Sequence, residues 1–131
     1  MNVYIVGNPL IPKDSLPVRL MPGIQKKFPT VTFQPVDPNE NFMPEEGSII
    51  IDSVDGIRNV TEFHDIGVFL TTKSVSPHDY DLGFHLAFLS KVHKLPSLTI
   101  VGVPMGIDGS VALAELKQIL RKLFDKRKNK S

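Results

Sequence analysis

Apolar positions along this chain fall into short dense runs separated by longer stretches of helical spacing. Ile49, Ile50 and Ile51, held between Gly47 and Gly56, predict a strand covered on both faces in the middle of a parallel sheet. That strand is expected over residues 48–52 and ends in a carboxylate, Asp52. Residues 3–6 predict a first buried strand, stopped by Gly7, Asn8 and Pro9, where glycine and asparagine tolerate a sharp turn. Residues 31–34 alternate and are rich in β-formers, a second strand. The apolar run 66–72 predicts a fourth strand and residues 97–104 a last one. Residues 57–65 are mixed and are expected to hold at most a short helical turn.

Between these runs the apolar spacing lengthens to about 3.6 residues. Asp14 or Ser15, followed by Pro17, is a helix-start signal. Pro22 and Gly23 are expected to kink or split that helix before residues 24–28. A further helix is predicted over about residues 79–94, with Leu82, Leu86, Leu89 and Val92 as its stripe. Leu113, Leu116, Ile119, Leu120, Leu123 and Phe124 keep helical period through a final helix that Ser110 is expected to cap. The order of elements predicts an α/β fold: a three-layer α/β/α sandwich, phosphorylase/hydrolase-like, around a mostly parallel twisted sheet of about five strands. One domain is expected over residues 1–125, with 126–131 as a basic tail, which usually is solvated and favours the helix dipole.

Composition narrows the function classes. At 131 residues, 41% hydrophobic and 22% charged, the chain is an ordinary globular domain. A formal net charge of +1 argues against an electrostatic nucleic-acid binder. With no cysteine, thiolate catalysis, disulfides and cysteine-type zinc sites are excluded. No run approaches the roughly 20 apolar residues of a membrane span, and the first residues do not read as a signal peptide. A cytoplasmic protein with neither membrane nor nucleic-acid partner is expected.

Three residues carry the candidate chemistry. Asp14 follows the first predicted strand, Asp52 ends the third, and His78 follows the fourth. If those strands run parallel, all three emerge at the carboxyl edge of the sheet, where ligands of open α/β folds bind. Each also has a plainer role: a helix cap for Asp14, a cap or Asx-turn for Asp52, a loop histidine for His78. Together they form a three-ligand set with open positions, of mixed N and O donors suited to Zn²⁺, Ni²⁺ or Fe²⁺. His64, His85 and His93 lack a second histidine at ligand spacing, and packing or exposure is expected for each.

The stretch Val6-Gly7-Asn8-Pro9-Leu10, the acid at Asp14, Ile50-Ile51-Asp52, Ser76-Pro77-His78 and residues 98–104 together resemble the hydrogenase maturation endopeptidases. The similarity spans most of residues 2–105. In that family a G-N-x-L turn precedes a pair of acids, a strand ends in Asp and a loop supplies His. The resemblance implies a nickel-dependent protease that removes the C-terminal extension of a [NiFe] hydrogenase large-subunit precursor after metal insertion. Asp14, Asp52 and His78 are then the metal ligands and catalytic residues. Nickel arrives with the precursor, and zinc or another divalent ion can stand in for it. Gly7 and Asn8 are expected either to offer donors to the substrate chain or to form a plain tight turn. The chain departs from the family at Lys13, where the first acid of the pair belongs, at Pro17 and Ile5, which replace glycines, and at Asp37-Pro38-Asn39-Glu40, where a D-G-G-T-like segment belongs.

Two mechanisms remain open: the metal polarises the scissile carbonyl or activates water, or it only holds the tail while a carboxylate such as Asp14 acts as base. Two other functions also stay open. One is a non-catalytic chaperone for the hydrogenase subunit. The other is an anion- or nucleotide-binding module built on Gly102, Gly106, Gly109 and Ser110 before a helix N-terminus.

Overall fold

A computed structural model describes residues 2–7, 15–37, 42–72, 82–92 and 94–128. Five strands, β1 (Asn2–Val6), β2 (Thr32–Val36), β3 (Ser48–Val54), β4 (Thr61–Phe63) and β5 (Leu98–Pro104), form one sheet in the order β2-β1-β3-β5-β4. The first four of these neighbours pair in parallel; β4 alone runs antiparallel, against β5. Among the described residues four helices cover the sheet: α1 (Leu16–Lys27), α2 (Ile66–Thr72), α3 (Leu82–Lys91) and α4 (Gly109–Lys128). The expected three-layer α/β sandwich with a mostly parallel five-stranded sheet is present.

Alternation along the strands divides the core in two. Val3, Ile5, Ile49, Ile51, Val101 and Val103 point to one face and pack with α1 and α4 through Leu20, Ile24, Leu116 and Leu120. Tyr4, Val6, Ile50, Val54 and Ile100 point to the other, where Phe42, Phe69 and Leu86 cover them. Every residue of β3 and β5 is buried, as the unbroken isoleucine run demands. Pro35 lies in β2, at the sheet's edge, where a missing N–H leaves no ladder bond unmade on the outer side.

Several expectations are corrected. Residues 66–72 form helix α2, not a strand. Asp65 starts that helix: its carboxylate accepts from the Gly67 N–H at 2.7 Å and its carbonyl from the Phe69 N–H at 3.1 Å. The place beside β5 that a fourth parallel strand would fill is taken by Thr61–Phe63, out of the stretch expected to be a helical turn. Helix α1 runs unbroken through Pro22. An interior proline costs about 3 kcal/mol, whereas burying Leu16, Leu20 and Ile24 contributes roughly 1.5–3 kcal/mol each, so packing wins. Asp108, not Ser110, caps α4. Its carboxylate accepts from the Ser110 N–H at 2.9 Å, from the Ser110 hydroxyl and from the Val111 N–H at 3.4 Å. Gly106, at φ +79°, makes the preceding turn in a conformation that side chains resist. Strand β3 continues two residues beyond Asp52, to Val54, and α4 continues to Lys128.

Candidate functional site

Chain order and strand order disagree at one place in this sheet. From β1 the chain passes through α1 to β2 on one side, then crosses to β3 on the other side of β1. The carboxyl end of the β1/β3 pair is therefore the topological switch point, where flanking connections diverge and leave a crevice. Ile5 and Ile51 are the last register partners of that pair. Asp52 follows one of them and Val6 and then Gly7 follow the other, so Asp52 is level with the last residue of β1. Sequence reasoning placed Asp52 at a strand end without the strand order; the order puts it on the rim of the crevice.

Asp52 is 1% exposed. It lies two residues from Ile50 and from Val54, both on the sheet face that α2 and α3 cover. Its Oδ1 accepts the Ser53 N–H at 2.9 Å. β3 runs on two residues past Asp52, so the residue lies within the strand and not at its end. Its register partner on β5 is Gly102. A methyl group there would stand 2.8 Å from Val54 Cγ2 and 3.0 Å from Phe63 Cε2, so the side chains flanking Asp52 close over a bare backbone. Nothing in the sequence pattern marked Gly102 for this role; its place in an otherwise β-branched strand was the available signal.

On the same face lies a chain of aromatic and polar contacts. The Tyr4 hydroxyl donates to Glu45 Oε1 at 2.7 Å. That bond, then burial, then the negative charge of Glu45 hold the phenol above its ordinary value of 10.0. The Tyr4 ring meets Phe42 edge-on, with centroids 5.0 Å apart. Phe42 stacks on the imidazole of His85, at 6.2 Å, and His85 Nε2 donates to the Phe42 carbonyl. A carbonyl only accepts, so Nε2 carries the proton. His85 is buried within this packed layer; its spacing led to an expectation of packing or exposure. His64 is exposed; its Nε2 pairs with Glu62 Oε2 at 2.9 Å and its Nδ1 lies 3.3 Å from Thr99 Oγ1.

Of the predicted site residues, Asp52 is level with Val6 at the crevice, and Gly7 follows Val6 at the end of β1. Asn8, Asp14 and His78, with Lys13 and His93, lie outside the described residues. The route by which His78 was expected to reach this edge, through a fourth parallel strand, does not exist: the segment before it is α2. Among the described residues no three His, Asp or Glu side chains stand together as a metal site. For a divalent ion, Asp52 fits as a single oxygen ligand: it is a carboxylate, desolvated and held by its backbone at a crevice rim. The N-terminus of α4 fits an anion poorly, since the Asp108 carboxylate already occupies its N–H groups and repels further negative charge.

Solved structures share this fold. An uncharacterized protein from Wolinella succinogenes superposes with a TM-score of 0.63 at 13% identity, over 95% of this chain and 96% of its own. The hydrogenase maturating endopeptidase HybD from E. coli superposes with a TM-score of 0.61 at 19% identity, over 96% of this chain and 94% of its own. At such identities the likeness is one of fold. No protein-family model matches the chain, and neither does any curated protein. No helix among the described residues is long and apolar enough to cross a membrane.

Proposed function

We propose that this protein is a processing endopeptidase of the hydrogenase-maturation type, which cleaves a C-terminal extension from the large-subunit precursor of a [NiFe] hydrogenase once nickel is in place. The observation that carries this is the buried Asp52 at the β1/β3 switch point, level with the last residue of β1, which Gly7 follows. The sequence motifs around Gly7, Asp14, Asp52 and His78 and the fold shared with HybD support it.

Nickel in this proposal is cargo: it arrives with the precursor and acts as a Lewis acid when present. The chain's own part is recognition and positioning. Asp52, with one oxygen held by the Ser53 N–H, supplies an oxygen ligand once docking of the precursor uncovers it. Asp14 and His78 supply the other oxygen and the nitrogen. Gly7 allows the substrate backbone to approach the end of β1 closely. Cleavage then depends on a metal-loaded precursor, which makes the enzyme a checkpoint on insertion.

The test is incubation of the full chain with a nickel-loaded precursor and, separately, with metal-free precursor. Cleavage of the first alone is expected. Asp52→Asn, Asp14→Asn and His78→Ala are each expected to lower the rate by at least about 10²-fold. Wild-type cleavage rates in all three variants would end the proposal. Stable binding of the loaded precursor without cleavage by the native chain would replace it with a chaperone role.

A further inference from the structure

The net charge of +1 conceals a strong segregation. Helices α1 and α4 lie on the same face of the sheet, and between them carry nine Lys and Arg against two carboxylates, a net +7. The rest of the chain carries six Lys and Arg against twelve Asp and Glu, a net −6. The two helices run in the same direction. Leu16 approaches Gly109 near their starts, Gly23 approaches Leu113 midway, and the rings of Phe28 and Phe124 meet at 5.0 Å near their ends.

The seam between them is lined mainly by cations. Arg19 and Lys26 stand four and three residues from Gly23 and so share its stripe on α1; Lys117 and Arg121 stand four and eight residues from Leu113 and share its stripe on α4, which ends one turn on in the carboxylate of Asp125. Arg19, Lys26 and Arg121 are exposed. Compensation of the helix dipoles does not account for them. Two helix C-termini carry about one negative charge together, and Lys27, Lys126 and Arg127 already sit there. Arg19 lies near the positive start of α1, where a cation is unfavourable, and the first turn of that helix holds no acidic residue.

We propose that the α1/α4 seam is a docking surface for an acidic helical segment of a protein partner. Its cations repeat at one and two helical turns, roughly 6 and 10.5 Å, the spacing at which one face of a partner helix presents Asp or Glu. A lipid surface fits less well. Among the described residues the exposed large apolar side chains are Met43, Val68, Phe88, Val92 and Val111, of which Val111 alone lies on either helix, two positions from Leu113 and therefore off its stripe. Nucleic acid also fits less well: Phe28 and Phe124 are spent on each other, and the α4 N–H groups that phosphate would seek are held by Asp108. The surface is separate from the crevice at Asp52, so it is tested by binding and independently of cleavage.

The experiment is fluorescence anisotropy of a labelled glutamate-rich helical peptide with the full chain, at about 50 and 200 mM salt. Binding is expected at low salt and should fall steeply with added salt. Lys26→Glu combined with Arg121→Glu should weaken it by at least about tenfold, and Lys26→Gln with Arg121→Gln by less. Lys91→Glu with Lys94→Glu, exposed charges away from α1 and α4, should leave it within about twofold. Far-UV circular dichroism verifies the fold of each variant. No binding at low salt, equal loss from the Lys91/Lys94 pair, or tighter binding to a duplex oligonucleotide or to phosphatidylglycerol vesicles than to the peptide would overturn the proposal.

Discussion

The two faces of the sheet are built on different terms. On one, α1 and α4 are 12 and 20 residues long, and each presents a continuous apolar stripe that local periodicity sets by itself. On the other, α2 has seven residues, too few to be helical alone. It exists because Asp65 nucleates it and because Phe69, fully buried, seats it on the sheet. A long amphipathic helix carries its instructions within itself; a short one borrows them from its neighbours. Cutting one contact should therefore have unequal reach on the two sides.

The largest effect is expected from Phe69→Ala. It removes a buried ring in edge contact with Phe63 of β4, at 5.6 Å, and should cost about 3–5 kcal/mol in denaturant unfolding. Hydrogen exchange in α2 and β4 should rise further than in α4. On the opposite face, Leu116→Ala, also fully buried, should cost about 2–5 kcal/mol while leaving exchange of α2 relative to the global rate unchanged. Equal and uniform loosening in both variants would show that the faces are one cooperative unit.

A smaller effect sharpens the difference at β5, which lies between β3 and β4. Gly102→Ala places a methyl group 2.8 Å from Val54 Cγ2 and 3.0 Å from Phe63 Cε2. Neither neighbour is a flexible chain end, so about 1–3 kcal/mol of destabilisation is expected. Because Gly102 is the register partner of Asp52, any activity should fall by more than the unfolded fraction explains. A Tm equal to that of the native chain would mean that the cover over Gly102 yields easily.

What was legible in the sequence follows the same division. Ile49, Ile50 and Ile51 announced a central strand, and the spacing of Leu116, Leu120 and Leu123 a long helix, because burial on both faces or along one stripe leaves a pattern that local sequence alone can produce. The run 66–72 did not read correctly. Ile66, Val68, Phe69 and Leu70 are apolar and partly β-branched, as a buried strand is, and only Asp65 ahead of them signalled a helix start. Strand β4 was hidden for another reason: three residues are too few to show alternation, and an edge strand is placed by its partners. Asp52 was identified as a strand carboxylate, whereas its rim position required the strand order, which no local pattern contains. The segregation of charge was invisible in a net value of +1, since it depends on which helices share a face.

The smallest expected effect concerns the clasp that holds β4 in place. Glu62 of β4 accepts from His64 Nε2 at 2.9 Å and from Lys122 Nζ of α4 at 3.1 Å. Burial alone pushes its carboxyl up, but the bonds to His64 and Lys122 outweigh burial and hold it below the ordinary 4.5. A carboxyl depressed in the folded state contributes stability that is present above its unfolded value and is lost as pH falls through the folded value. The clasp should thus be intact from neutral pH down to about the ordinary glutamate range and should loosen below it. Both partners are well exposed, which limits the contribution to under about 1 kcal/mol. Glu62→Gln should flatten the acid limb of a Tm-against-pH curve slightly while lowering Tm at neutral pH by a degree or two at most. Protection from hydrogen exchange at residues 62 and 63, measured against the intrinsic rate at each pH, should lose its acid dependence in that variant. An unchanged acid limb would assign the acid sensitivity elsewhere: to Asp108, held low by its bonds to Ser110 and Val111, or to Glu115, held low by Val60 and Asn59. In that case α4, rather than the edge strand, is where the fold first yields to acid.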